Sequence, residues 1–401
     1  MSVEDATQEH LAALSPEALA AAKAYTTGGY WLILWGLLVT VLVTVVLVRW
    51  DVLAKLRDRI EGNAPRPRVM TFAVAAAFLG LSWLLELPWS IYTGWARERA
   101  YNLSQQPFSD WIMQNTISTA VNMLLGGLFF MGLYTLIRRT PRRWWMWGGA
   151  FAGVALVFGL LIAPVFIMPL FNNYTPMADG LVKEAVVALA KDSHVPTDKI
   201  FVFDGSRQRS ILTANVSGVG GTAQISVSDV ALKEATLPEV RAVVGHEIGH
   251  YVSKDVYKIV GVVSVLALIG FWLSDRLFGR VATALGAHDV RGISDPAGIP
   301  VLLLMVSVWL TLCQPIINSM TRVFEAEADA YSLQHAQEPD GLASALVKTA
   351  EYRDPLPDPL AEILFHNHPS VANRVRMAME WKAAHAPAVE GTPAPEPAPP
   401  N

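Results

Sequence analysis

The chain has 401 residues, 52% of them hydrophobic and only 16% charged, with a mean hydropathy of +0.34. A soluble domain carries about 25% charged residues, so the composition excludes an ordinary soluble globular protein and places the chain in a membrane. The net charge of −4 offers no basic excess for nucleic acid, and one cysteine, Cys313, rules out a disulfide scaffold or a cysteine zinc cluster.

In chain order, residues 6–23 read as a short polar helix outside the bilayer. Crossing about 30 Å of hydrocarbon takes about 20 helical residues. About six apolar stretches meet that length, near 29–49, 69–92, 116–137, 145–170, 256–274 and 298–319. Tyr30, Trp31, Trp144 and Trp145 fall where interfacial aromatic belts belong. The first stretch is too long and too late for a cleaved signal peptide, and no internal repeat is evident. A water-soluble insertion follows the fourth span, at 172–255, with a helix expected over 177–193 and strands over 199–204 and 222–228. Thr236-Leu-Pro-Glu239 then opens a helix: Thr is the N-cap, Pro sits in the first turn and Glu completes a capping box. A second soluble piece, 321–385, follows the last span, and the Pro-rich residues 386–401 read as a disordered tail. The expected division is a polar helix (1–28), a four-span membrane domain (29–171), a second domain that holds the soluble pieces and two further spans (172–385), and the tail (386–401).

The capped helix carries His246-Glu247-Ile248-Gly249-His250. Residues four apart share a helical face, so both imidazoles can reach one metal ion, with Glu247 beside the attacking water. Imidazole ligands at this spacing suit Zn2+, one ion per chain, whose Lewis acidity makes hydroxide available near neutral pH. A catalytic zinc needs a third protein ligand and one open position. Past the sixth span, the helical pattern of TRVFEAEADAY puts Glu325 and Asp329 on one face and Glu327 on the other. We assign Glu325 as the third ligand, Asp329 as acceptor of the free N–H of a ligating histidine, and Glu327 as a solvated outer-face acid.

The ordered segments HEIGH, RVFEAEADAYSL and HNHPSVANRV, with ELPWSIYTGWARERAYNL, IAPVFIMPLFNNYTP and TANVSGVGGTAQISVSD, make residues 81–375 resemble the CAAX prenyl protease 1 family, the type I prenyl endopeptidases. The resemblance implies a mainly α fold. A polytopic bundle of about six spans encloses an intramembrane chamber, with a small α+β, gluzincin-like zinc domain inserted. It also implies a zinc metalloendopeptidase, an integral multi-pass membrane protein (of the inner membrane in a bacterium), whose partners are membrane lipid and a peptide or protein substrate, prenylated in this family. By position, His246, His250 and Glu325 match the family's zinc ligands, Glu247 its general base and Asp329 its second-motif acid. Asn215 matches a cleft-lining strand residue that grips substrate main chain, an edge a peptide can extend by β-pairing. His368, before Pro369, matches a histidine able to donate to the oxyanion, and Arg374 an arginine that holds this loop or a substrate carboxylate. The residues themselves leave alternatives: Asn215 as a turn residue near Gly218, Arg374 as the partner of a protein carboxylate. Glu86, inside the second span, is either a chamber-lining acid or hydrated near the interface.

Arg49, Lys55, Arg57, Arg59, Arg66 and Arg68 lie after the first span, and Arg138, Arg139, Arg142 and Arg143 after the third. The positive-inside rule puts both loops in the cytoplasm and the zinc domain on the opposite side, whereas the family's eukaryotic members are expected to carry one more span and face the cytosol. Two other readings stand beside prenyl processing. One is a general quality-control protease for membrane proteins; the other, disfavoured by the absence of repeated broken helices, is a transporter or scaffold.

Overall fold

A computed structural model describes residues 2–63, 66–218 and 223–386. The expected tail, but for Ala386, lies outside them, as does the middle of the glycine-rich turn after Asn215. The polar N-terminal helix is shorter than expected. Helix α1 (Val3–Leu11) ends early, and Ser15 caps a new helix with Pro16 at its first position. A Ser-Pro pair starts a helix and cannot continue one, because proline lacks the N–H and clashes with the preceding turn.

Among the described residues, six helices are long and apolar enough to cross a membrane. They belong to α2 (Pro16–Arg49), α4 (Pro67–Ile91), α6 (Phe108–Arg139), α7 (Trp144–Ile162), α11 (Asp255–Leu285) and α12 (Ile299–His335). Helix α3 (Val52–Asn63) joins the first two, and a π turn at Tyr92–Ala96 leads from α4 into α5 (Arg97–Ala100).

Their contacts run α2 to α4, α4 to α6, α6 to α7, α7 to α11, α11 to α12 and α12 back to α2, which closes a ring. Within each ring helix at most half of the apolar window is buried, and in the fourth only 6%. One end is plugged by a packed core of Val43, Leu47, Val74, Phe130, Tyr134, Trp144, Phe271, Phe278 and Leu302, contributed by all six helices. A ring of six helices closed at one end by this core forms the walls of a chamber. Helices α11 and α12 complete the ring with the first four, so the boundary near residue 172 divides the sequence and not the bundle.

The other end carries the soluble elements. Strands β1 (Tyr174–Pro176), β2 (Ile200–Phe203), β3 (Ala214–Ser217) and β4 (Gln224–Ser228) form a sheet in the order β1-β2-β4-β3. The β2–β4 pair is parallel and the others antiparallel, leaving β3 at an edge. Strand β1 escapes sequence reading because three residues ending in proline carry no alternation. Helix α8 (Leu181–Asp192) follows Gly180, and the short α9 (Asp229–Glu234) precedes the HExxH helix α10 (Leu237–Val252). Val240, Val244 and Ile248 pack α10 on the sheet and α8, while Ala242 faces α13 (Pro339–Thr349) and α15 (Val371–Ala384). The short α14 (Pro359–Phe365) leads into the loop before α15.

Candidate metal centre

The expected capping box is formed: Glu239 N–H donates to Thr236 Oγ1 at 3.4 Å and Thr236 N–H to Glu239 Oε2 at 2.6 Å. Ser344 and Lys348 also bond the buried Glu239, tying the start of α10 to α13. On its third side α10 meets α12 through glycine. A Cβ on Gly249 would lie 3.0 Å from Ala328 Cα and 3.1 Å from Tyr331 Cβ, and one on Gly245 3.0 Å from Ser332 Oγ. This close approach brings the far end of α12, and with it Glu325, to the two histidines. At about 1.5 Å per residue α12 is roughly 55 Å long, enough to cross the bilayer and still reach the site.

His246 Nε2 and His250 Nε2 lie 3.1 Å apart. Glu325 Oε2 is 3.3 Å from the first and Oε1 3.4 Å from the second. Bonds of about 2.0–2.1 Å at tetrahedral angles place donor atoms about 3.3 Å apart, so the three fit one zinc ion. The proton inventory points the same way. His246 Nδ1 donates to Asp329 Oδ1 at 2.8 Å and His250 Nδ1 to Asp255 Oδ2 at 2.9 Å. In the neutral imidazoles this leaves both Nε2 lone pairs aimed at each other and at the carboxylate. Among the described residues Glu325 Oε2 is buried with no hydrogen-bond donor, the nearest cation being the Arg374 guanidinium at 3.5 Å. Three acceptors converging in a buried site call for a cation.

Metal-free, the site takes up a proton instead: burial would push the His246 imidazolium down, but the Asp329 and Glu325 carboxylates raise it to about 9. Glu247 faces the same cavity, and burial pushes its carboxyl up against the pull of the two histidines. Among the described residues it has no hydrogen-bond or ion-pair partner.

Arg374 forms a two-point fork on Asp329, from Nε to Oδ2 at 2.6 Å and Nη2 to Oδ1 at 2.7 Å. Both residues are buried. His368 Nε2 lies 3.2 Å from Glu325 Oε1, with Nδ1 2.8 Å from Asn367 Oδ1. Burial first, and then the Arg353 cation, push the His368 imidazolium down to about 3. Asn215 lies on β3 opposite Ser226, beside the cavity; Thr213 and Ala214 line it and Asn215 does not, its Oδ1 being buried without a donor. Glu327 is exposed, with Lys258 3.5 Å away. Glu86 is half-buried in α4 and lines none of the cavities around the site.

Sequence reasoning missed Asp255, which holds His250 and accepts from Lys258 Nζ at 2.8 Å. Its reach depends on Lys254, which breaks α10 from α11 in the left-handed region at φ 58. The signal in the sequence is an acid placed at the head of the next helix, five residues beyond the second histidine.

Residues 176–382 match the model of peptidase family M48, and residues 3–173 that of the CAAX prenyl protease N-terminal region, described as five membrane helices. Here the described residues of that stretch hold four helices of membrane length. The chain is 27% identical to YhfN of Bacillus subtilis, an uncharacterized metalloprotease, over 91% of this chain and 86% of that one. It is 26% identical to CAAX prenyl protease 1 of Saccharomyces cerevisiae over 82% and 79% of the two chains. The crystal structure of S. mikatae Ste24p superposes with a TM-score of 0.73 at 23% identity, covering 91% of this chain and 89% of the other. With six membrane-length helices and a donor set for one zinc ion, the chain is a membrane-embedded zinc metalloendopeptidase and belongs to peptidase family M48.

Proposed function

We propose that the chain hydrolyses peptide bonds near the C-terminus of membrane-associated polypeptides of the prenylated CAAX type. The observation that carries this reading is the convergence of His246, His250 and Glu325 beside an unpartnered Glu247 at the open end of a ring of membrane helices. The relatives named as CAAX prenyl proteases support the substrate class, and the chamber gives an apolar segment a place to lie. Lipid contacts the outer face of the ring.

His246, His250 and Glu325 hold the zinc, which when bound acidifies water and polarises the scissile carbonyl. An extended substrate adds along the free edge of β3, next to Asn215, and Thr213 and Ala214 bring that edge to the cavity. Glu247 takes a proton from the attacking water and returns it to the leaving amine. His368 is neutral and donates from Nε2 to the developing oxyanion. For that its Nδ1 must accept, which turns the Asn367 amide to present its NH2. Asp329 and Asp255 fix the two ligand tautomers. Arg374 gives its fork to Asp329, so its role moves from a substrate clamp to a residue that positions Asp329.

The test compares cleavage of a quenched fluorescent peptide with and without a farnesyl group by the detergent-purified protein. Preferential loss of the farnesylated peptide supports prenyl processing. Equal cleavage of both replaces it with broad degradation of membrane proteins.

A further inference from the structure

Beside the metal centre lies a second cavity of about 290 Å³, walled by the start of α2, by Arg97 and by the segment before α15. The two cavities share Tyr352, Arg353 and His368, so the second adjoins the zinc site across these residues and extends to the start of the first membrane helix. Two guanidinium groups line it, and among the described residues neither forms an ion pair. Arg353 lies over the Tyr352 ring at 5.2 Å. Arg97, placed by the π turn that ends α4, stacks on Tyr25 at 3.8 Å and donates to the Tyr25 carbonyl. Elsewhere the buried arginines are matched, Arg57 to Asp295 and Arg374 to Asp329. Asp354 also lines the cavity, but its Oδ1 accepts from the Leu356 N–H at 3.0 Å and it reaches neither guanidinium. Half-buried cations that no carboxylate pairs with are costly to hold unless an anion joins them, and planar guanidinium favours a carboxylate.

Resting on the peptidase reading above, we propose that this second cavity binds the free C-terminal carboxylate of the substrate, with Arg353 and Arg97 as its cationic residues. Tyr30, Ile33 and Phe365 form an apolar wall for the last side chain. The wall is held in place by the stacking of Tyr30 on Phe365 at 4.5 Å and by the 2.5 Å hydrogen bond between Tyr30 Oη and His366 Nε2. The proposal gives the enzyme a ruler: a carboxylate anchored here sets the scissile bond a short, fixed distance from the chain end.

The test is binding rather than turnover. Zinc-loaded, full-length Glu247→Gln protein in detergent is titrated with a fluorescein-labelled, unprenylated hexapeptide bearing either a free carboxylate or a C-terminal amide. The acid form is expected to bind at least tenfold more tightly. Adding Arg353→Met is expected to erase that ratio, Arg353→Lys to keep part of it, and Arg97→Gln to reduce it several-fold. Zinc content equal to that of the parent confirms that each variant is folded; if Arg353→Met fails that check, Arg97→Gln decides. Equal affinity for acid and amide, or an acid preference that survives both substitutions, overturns the proposal. So does loss of the preference when vesicles containing 20% anionic lipid are added in place of neutral ones, since the anion would then be a lipid headgroup. Failure of the peptidase reading shows separately, as wild-type protein that prefers the acid peptide yet cleaves no peptide of any kind.

Discussion

Two neutral imidazoles whose Nδ1–H groups are each engaged by a carboxylate have one use for their other nitrogen, and the carboxylates are as important to that as the rings. Metal-holding residues outside the ligand set typically contribute 10–100-fold in affinity. Asp255→Asn is therefore expected to weaken zinc binding by about that factor, measured by chelator competition, while leaving the helices intact by circular dichroism. Unchanged affinity would show that the 2.9 Å contact to His250 does not fix the ligand.

Zinc also competes with protons here. With His246 raised to about 9 in the metal-free site, its imidazole is protonated below that pH and zinc must displace the proton. Affinity should rise with pH between 6 and 8, by roughly tenfold per unit for each proton displaced. Zinc affinity that is flat across that range would contradict the proton inventory. The ligand histidines and Glu247 were legible from spacing alone, and Glu325 and Asp329 from helical-face arithmetic. Asp255 and the lack of an ion-pair partner for Arg353 among the described residues were not, because contacts made through a left-handed turn or across a cavity exist only in three dimensions.

Helix α10 is the element on which the site depends, and its glycines matter as much as its histidines. A Cβ on Gly249 would press on the backbone of Ala328 at 3.0 Å, so any larger side chain must displace α12. Gly249→Val should push α12 outward and lose zinc while every ligand stays in the sequence; a zinc content equal to that of the wild type would refute this reading of the packing. The cap is worth less: Thr236→Ala should cost about 1 kcal/mol, seen as a few degrees in the thermal midpoint with cleavage retained. The existence of α10 and of the spans was readable from caps and apolar runs, whereas their ends were not. Helix α12 continues to His335 and α11 to Leu285 because the polar turns beyond the bilayer still find packing partners. The Ser15-Pro16 break, by contrast, was written in the sequence as a start signal.

At the scale of the molecule, the six helices alternate so that both arginine-rich connections, after α2 and after α6, lie at the plugged end, opposite the zinc site. A reporter active only outside the cytoplasm, fused after His385, is expected to be active, and activity of a cytoplasmic reporter there would reverse the orientation. The ring itself could not be read from the spans, since apolar length says that a helix crosses and not which neighbour it touches. The central claim is that one zinc and one base on this scaffold hydrolyse peptide bonds. The most direct measurement is zinc content together with peptide cleavage for the purified protein and for Glu247→Gln. The account predicts one zinc in each and, in the variant, a rate at least about a hundredfold lower; a zinc-loaded Glu247→Gln protein that cleaves at the wild-type rate would contradict it.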